Sequence, residues 1–180
     1  FLLTNSAWIS ISLFGSLPFL FSNLNLNFID AFFESTSGIT TTGATVIESL
    51  EAKSHGILIW RALLQWLGGV GIIVMALAVL PMLSIGGMQL FKTESYETPD
   101  KVVPKAASFA AGISIVYITL TIIWALMLWG AGMSIFDSIA HAMTTLATGG
   151  YSTKSQSLAA FNSSTIEIII IFGMLVGSLP

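Results

Sequence analysis

Residues 35–45 read STSGITTTGAT, a run of small and hydroxyl-bearing side chains apart from Ile39, with no charge. A second uncharged strip, TGGYS, occupies residues 148–152. What such residues offer chemically is neutral oxygen. Glycine adopts dihedrals closed to other residues, so Gly43 and Gly150 allow successive carbonyls to turn towards one side. Threonine adds a hydroxyl oxygen without charge. Rings of main-chain carbonyls of this kind can replace the hydration shell of a monovalent cation. The candidate coordinating residues are therefore Thr41, Thr42, Gly43 and Ala44, together with Thr148, Gly149, Gly150 and Tyr151, acting mainly through backbone carbonyls. The duller reading of the first strip is an ordinary extracellular linker. A nucleotide P-loop is excluded, because GATVIES lacks the Gly-Lys-Ser/Thr ending that cradles phosphate.

The rest of the chain says what must position these strips. Charged residues make up 8% of the sequence, hydrophobic residues 54%, and the mean hydropathy is +0.88. Soluble domains carry about 25% charged residues, so the composition points to lipid as the main solvent. A net charge of −3 with dispersed charges gives no sign of a nucleic-acid partner, and the absence of cysteine removes disulfides and thiolate metal sites. A helix needs roughly 20 apolar residues to cross a hydrocarbon core. Four segments approach or meet that length: Phe1–Phe21, Ile57–Leu80, Ala106–Gly130 and Thr165–Pro180. The chain begins at Phe1 with no signal-peptide pattern and ends within an apolar run, and it reads as a portion of a longer protein.

The connectors differ in kind. Residues 84–105 hold Lys92, Lys101, Lys105, three carboxylates and two prolines, as a solvated linker does. The positive-inside rule places that linker in the cytoplasm and the two Thr/Gly connectors outside. FIDAFFESTSGITTTGAT (28–45) aligns without a gap on IFDSIAHAMTTLATGGYS (135–152), an offset of 107 residues. Asp30 then meets Asp137, Thr41 meets Thr148 and Gly43 meets Gly150. The repeating unit is helix, re-entrant segment, helix, and two crossings per unit make the copies parallel. In each connector an aspartate, Asp30 or Asp137, is expected to cap a helix of about ten residues, roughly 15 Å long or half the membrane. Phe32 and Phe33 would give the first of these an apolar face. Non-helical backbone at that depth is tolerated only where protein buries it or where it lines a cavity. The expected fold class is thus all-α and integral to the membrane, built as parallel tandem repeats of transmembrane helix, re-entrant pore helix with filter strand, and transmembrane helix. The first unit covers 1–83, the connector 84–105, and a truncated second unit 106–180.

TTTGAT followed by WRALLQWLGGVGIIVMALAVLPMLSIGGMQLFKTE, and ATGGYST followed by a span ending MLVGSLP, resemble the Trk/Ktr family of bacterial potassium transporters, in particular its TrkH-type potassium-translocating subunits. The resemblance covers nearly the whole chain. It implies a potassium-channel-like architecture of four such units around one pathway, with Thr41–Thr45 and Thr148–Ser152 in filter positions. It implies potassium uptake across the bacterial cytoplasmic membrane, with potassium as cargo and no cofactor. It also implies a homodimer and a cytosolic nucleotide-binding regulatory subunit. Neither strip keeps the Tyr-Gly end of the potassium-channel TVGYG sequence.

Other residues carry competing readings. Arg61 either pairs with Glu34 or Asp30 behind the strip or snorkels to the interface. His141, opposite Glu34 in the repeat alignment, reads as a packing residue with one hydrogen bond. The glycines of WLGGVG, Gly68, Gly69 and Gly71, are read as helix-packing positions rather than hinges. Trp60 and Trp129 suit headgroup anchors, and Glu48 and Glu51 suit cation concentration at the outer mouth. No catalytic constellation emerges, so the chain is not read as an enzyme. Two rivals stay open: a non-transporting membrane scaffold or subunit, and a transporter of another monovalent cation such as sodium or ammonium.

Overall fold

The computed structural model describes residues 2–83 and 102–179; of the predicted connector, residues 84–101 lie outside the described residues. The architecture is helical, with no strand among the described residues. Among the described residues seven α-helices follow one another: α1 (Leu2–Gly15), α2 (Leu17–Leu20), α3 (Phe28–Ile39), α4 (His55–Leu83), α5 (Val102–Gly130), α6 (Ile135–Leu146) and α7 (Ser164–Gly177). Short 3-10 turns at Leu50–Ala52 and Ser157–Phe161 lie in the outer loops.

The helices differ most from the expected spans in two places. The first apolar run is broken between Gly15 and Leu17, because Pro18 offers no N–H to the carbonyl of Phe14 and crowds it. The third begins at Val102, so the last four residues of the predicted connector are already helical. Within it, Ala111–Gly130 is apolar and long enough to cross a membrane, with a mean hydropathy of 2.2; α7 is a shorter apolar helix. Ile115, Val116, Ile122, Ile123 and Leu126 on α5, and Ile168, Ile171 and Phe172 on α7, are exposed.

Two groups of helices form. In the first, α1, α2 and α4 surround α3; in the second, α5 and α7 surround α6. Each has its own apolar centre. One gathers Phe19, Ala31, Ile39, Leu58 and Leu64. The other gathers Tyr117, Trp124, Leu128, Leu146 and Ile170. The groups meet where α4 lies along α6, through Ala62, Ala140 and Met143. Glycine sets how closely this seam and the half-length helices pack. A Cβ at Gly68 would overlap the carbonyl of Ile39, the last residue of α3. A Cβ at Gly69 would press on Tyr117 Oη at 2.8 Å and on the Ala147 backbone just past α6, at 3.1 Å. Two neighbouring glycines of α4 thus seat the carboxyl ends of both short helices, as small residues do between membrane helices. Gly177 of α7 does the same for the carbonyl of Leu146.

Candidate ion-coordinating strips

The half-length helices start differently from the sequence expectation. Asp30 and Asp137 are not the caps. Asn27 caps α3, its Oδ1 accepting from Asp30 N at 2.9 Å, and Ser134 caps α6, its Oγ accepting from Asp137 N at 3.1 Å. Each aspartate lies three residues inside its cap, in the first turn where its charge faces the positive end of the helix. Asp137 uses its carboxylate twice more, accepting from Ser134 Oγ at 2.8 Å and Thr153 Oγ1 at 2.6 Å. Of the two phenylalanines expected to give α3 an apolar face, Phe32 is half-buried and Phe33 exposed. The buried residues of α3 include Ala31, Glu34, Ser35 and Gly38, whereas Phe33 is 43% exposed.

Both helices end in the same way. Thr41 and Thr148 take left-handed φ values of 55° and 52°, and Gly43 and Gly150 both sit at 80°. Thr42 N donates to Ser37 O at 2.9 Å, and Gly149 N donates to Thr144 O at 2.9 Å. A trans peptide points its C=O opposite to its N–H. With the amides of Thr42 and Gly149 turned back onto their helices, the carbonyls of Thr41 and Thr148 face the other way. Among the described residues, no donor reaches the carbonyls of Thr41, Thr42, Gly43, Thr148, Gly150 or Tyr151. The remaining two are engaged. Ala44 O accepts from Ser37 Oγ at 2.6 Å and lies 3.2 Å from Tyr151 Oη. Gly149 O accepts from Gln65 Nε2 at 2.9 Å.

Behind the strips, residues at equivalent positions make equivalent bonds with different chemistry. Glu34 accepts from Thr45 Oγ1 at 2.9 Å and from Val46 N at 3.0 Å, and Thr45 Oγ1 in turn accepts from Ile47 N. Its counterpart His141 meets Ser152 Oγ through Nε2 at 3.0 Å, and Ser152 Oγ accepts from Lys154 N. His141 Nδ1 lies 2.8 Å from the carbonyl of Asp137, so that nitrogen carries a proton. His141 therefore has two hydrogen-bond partners rather than the single one expected.

Arg61 does not snorkel. It is 1% exposed, and its Nε donates to Glu34 Oε1 at 2.7 Å, with Glu34 fully buried. Its Nη1 donates to Ser152 O at 3.0 Å, and its guanidinium stands 4.0 Å over the Tyr151 ring. Tyr151 Oη reaches back to Glu34 O at 3.0 Å. One buried cation on α4 therefore ties Glu34, which holds Thr45 and Val46 just past the first strip, to the carbonyl of Ser152 just past the second. Further out, Glu51 joins the loops: its carboxylate accepts from Ser155 N at 2.7 Å and Ser155 Oγ at 2.6 Å. The Ser155 side chain is the main cause that holds the Glu51 carboxyl below its ordinary pKa of 4.5. Glu167 is exposed at the start of α7, and the Trp60 indole donates to Gly15 O at 3.0 Å.

The sequence reading found both strips but not Gln65. That residue sits within an apolar helix with no local pattern around it, and only its full burial and its two backbone partners mark it.

Residues 1–179 match the family model of TrkH, described as a cation transport protein. The chain is 46% identical over 179 residues to the Trk system potassium uptake protein TrkH of Escherichia coli K12, covering 98% of this chain and 37% of that protein. It is 44% identical over 181 residues to the TrkH of Vibrio parahaemolyticus, covering 99% of this chain and 37% of that one. The crystal structure of the potassium transporter TrkH from Vibrio parahaemolyticus superposes with a TM-score of 0.82 over 94% of this chain and 33% of that chain, at 44% identity. The chain thus spans roughly a third of the length of the relatives it matches. It belongs to the TrkH family of cation transport proteins.

Proposed function

We propose that the chain forms part of a membrane protein that takes up potassium across the cytoplasmic membrane, through a channel-like pore to which residues 41–44 and 148–151 contribute two walls. The observation that carries the proposal is the matched pair of strips. Each follows a half-length helix, and each has Thr and Gly at the same left-handed φ values. Six of their eight carbonyls accept no hydrogen bond from the described residues. In this reading Thr41, Thr42, Gly43, Thr148, Gly150 and Tyr151 offer their carbonyls to the dehydrating ion. Ala44 and Gly149, whose oxygens already hold bonds from Ser37 and Gln65, fix the shape of the strips. The carboxyl ends of α3 and α6 add negative dipole ends at the same place.

The matched bonds also support two parallel units, 1–83 and 106–180, each of helix, pore helix with strip, and helix. The exposed apolar faces of α5 and α7 suit lipid. The outer loops, tied by Glu51 and Ser155, would face outward, and connector 84–105 the cytoplasm. By family resemblance the assembly includes a second copy of the protein and a cytosolic nucleotide-binding subunit.

The test is potassium uptake by the full-length protein in cells lacking their own potassium systems, beside its Gly43→Ser variant at matched membrane abundance. Growth rescue at low potassium, with the variant shifted towards sodium, supports the reading. Failure of the inserted, folded wild-type protein to move potassium sinks it, and rescue with unchanged selectivity in the variant removes the filter role of the first strip.

A further inference from the structure

We infer that Gln65 is a positioning residue that aims the Gly150 carbonyl and thereby sets the ion preference of the second strip; the inference rests on the pore reading above. Gln65 lies on α4, in the first helix group, yet both polar ends of its side chain are spent on the second strip. Its Nε2 donates to Gly149 O at 2.9 Å, and its Oε1 accepts from Tyr151 N at 3.1 Å. A side-chain amide bonded to the C=O of one residue and the N–H two residues on pairs with that backbone as a neighbouring β-strand would. It thereby grips both peptide planes that flank Gly150.

The grip determines a direction. The Tyr151 N–H belongs to the same trans peptide as the Gly150 C=O, and the two point opposite ways. With the N–H held towards Gln65, the Gly150 carbonyl is turned to the far side, where no described donor meets it. Without that grip little else restrains the plane. Gly150 has no Cβ, and a Cβ placed there would find no atom within 4 Å. Its φ of 80° is available to glycine at low cost, as are many alternatives. The fit of Gln65 is close, since a Cβ on Gly149 would overlap its amide group. The side chain is also fully buried, so water does not compete for its hydrogen bonds.

Among the described residues, the first strip has no such clamp. The carbonyl of Ala44 is held instead by Ser37 of its own helix and by Tyr151. Gln65 therefore hydrogen-bonds one strip and only packs near the other, its Nε2 standing 3.6 Å from where a Cβ on Gly43 would sit, which separates an aiming role from packing.

The experiment measures potassium-over-sodium preference in the full-length protein and in its Gln65→Met and Gln65→Glu variants, at matched membrane abundance and over a range of external pH. Methionine keeps the length and removes both polar ends. A carboxylate cannot donate to Gly149 O, whereas a protonated carboxyl can, and its other oxygen can still accept from Tyr151 N. Titratable groups described on the packed elements are His55 and Arg61 on α4, Asp30 and Glu34 on α3, Tyr117 on α5, Asp137 and His141 on α6, and Tyr151 itself, so wild type is followed over the same pH range. The expected result is a preference reduced about five- to tenfold in Gln65→Met, the scale of one or two lost hydrogen bonds. Gln65→Glu should show the same loss at high pH and recover as pH falls, while wild type stays flat. Recovery within one inserted protein distinguishes aiming from misfolding. Wild-type transport with unaltered preference in both variants, or a loss in Gln65→Glu that ignores pH, overturns the inference alone. Wild type that moves no potassium overturns the pore reading and this inference with it.

Discussion

The two strips share a backbone and differ in what stands behind it. Behind the first is an ion pair, Glu34 with Arg61 at 2.7 Å, both buried. Behind the second, His141 stands at the position of Glu34 and meets Ser152, and the uncharged amide of Gln65 reaches across from α4. The following helices diverge in the same way. Gly68 and Gly177 each seat the last carbonyl of the preceding short helix. Counting back from those glycines, Arg61 and Gln65 of α4 correspond to Ile170 and Met174 of α7. Those two apolar side chains border a cavity of about 160 Å³ beside Thr148, Gly150 and His141. The lesson is that the strip conformation comes from local features, the helix end, the threonine and the glycine. The supports are set by the neighbour that each strip meets. Arg61 and Gln65 stand at the seam between the strips; Arg61 bonds to both sides, and Gln65 bonds to the second strip.

Breaking the ion pair should have the largest effect. Removing one member of a buried pair leaves the other uncompensated, at a cost of about 3–5 kcal/mol. Arg61→Ala is therefore expected to lower the unfolding stability of the detergent-solubilised protein far more than His141→Ala, which forfeits hydrogen bonds worth about 1–3 kcal/mol. Equal losses in thermal melts would mean that the two supports are energetically alike. Next come the glycines. Gly43→Ala and Gly150→Ala share the strain of a left-handed residue bearing a Cβ, about 1–2 kcal/mol. Only at Gly43 does the added Cβ overlap the Gly149 carbonyl, so Gly43→Ala should be the more damaging in both stability and ion preference. If Gly150→Ala is as harmful, close approach of the strips is not what distinguishes them.

Smaller effects refine the contrast. Asn27→Ala and Ser134→Ala each remove a helix cap, at about 1 kcal/mol. Ser134 should be the costlier, because its hydroxyl also donates to Asp137; matching melts would show that this second bond contributes nothing. The outer tie is expected to matter least. Glu51 is exposed and its pKa is depressed by Ser155. A depressed carboxyl contributes stability above its unfolded-state pKa and loses it as pH falls through the folded value. Wild type should therefore lose a small increment below about pH 4.5 that Glu51→Gln lacks. Parallel pH profiles for the two proteins would leave the tie without energetic weight.

Much of this was legible in the residues. The lack of charge and the long apolar runs gave the helical elements, and the aligned threonines and glycines located both strips. The caps were misread by three residues. Asparagine, serine and aspartate all suit a helix start, and which of them stands at the boundary depends on where the chain enters the helix. Which face of α3 packs against the protein was not legible from residue type. In a soluble protein phenylalanine is buried and glutamate exposed, but here Phe33 faces outward and Glu34 inward.

The sequence alone determined the local geometry of the strips, because glycine at 43 and 150 is a property of the chain and fixes which dihedrals are open. Only the tertiary structure decided that Arg61 meets Glu34 across 27 residues, and that Gln65 meets Gly149 and Tyr151 across 84 and 86. No local pattern encodes those partners. Each buried polar group must find a bond wherever packing brings one within reach, and packing is settled by the whole set of helices together.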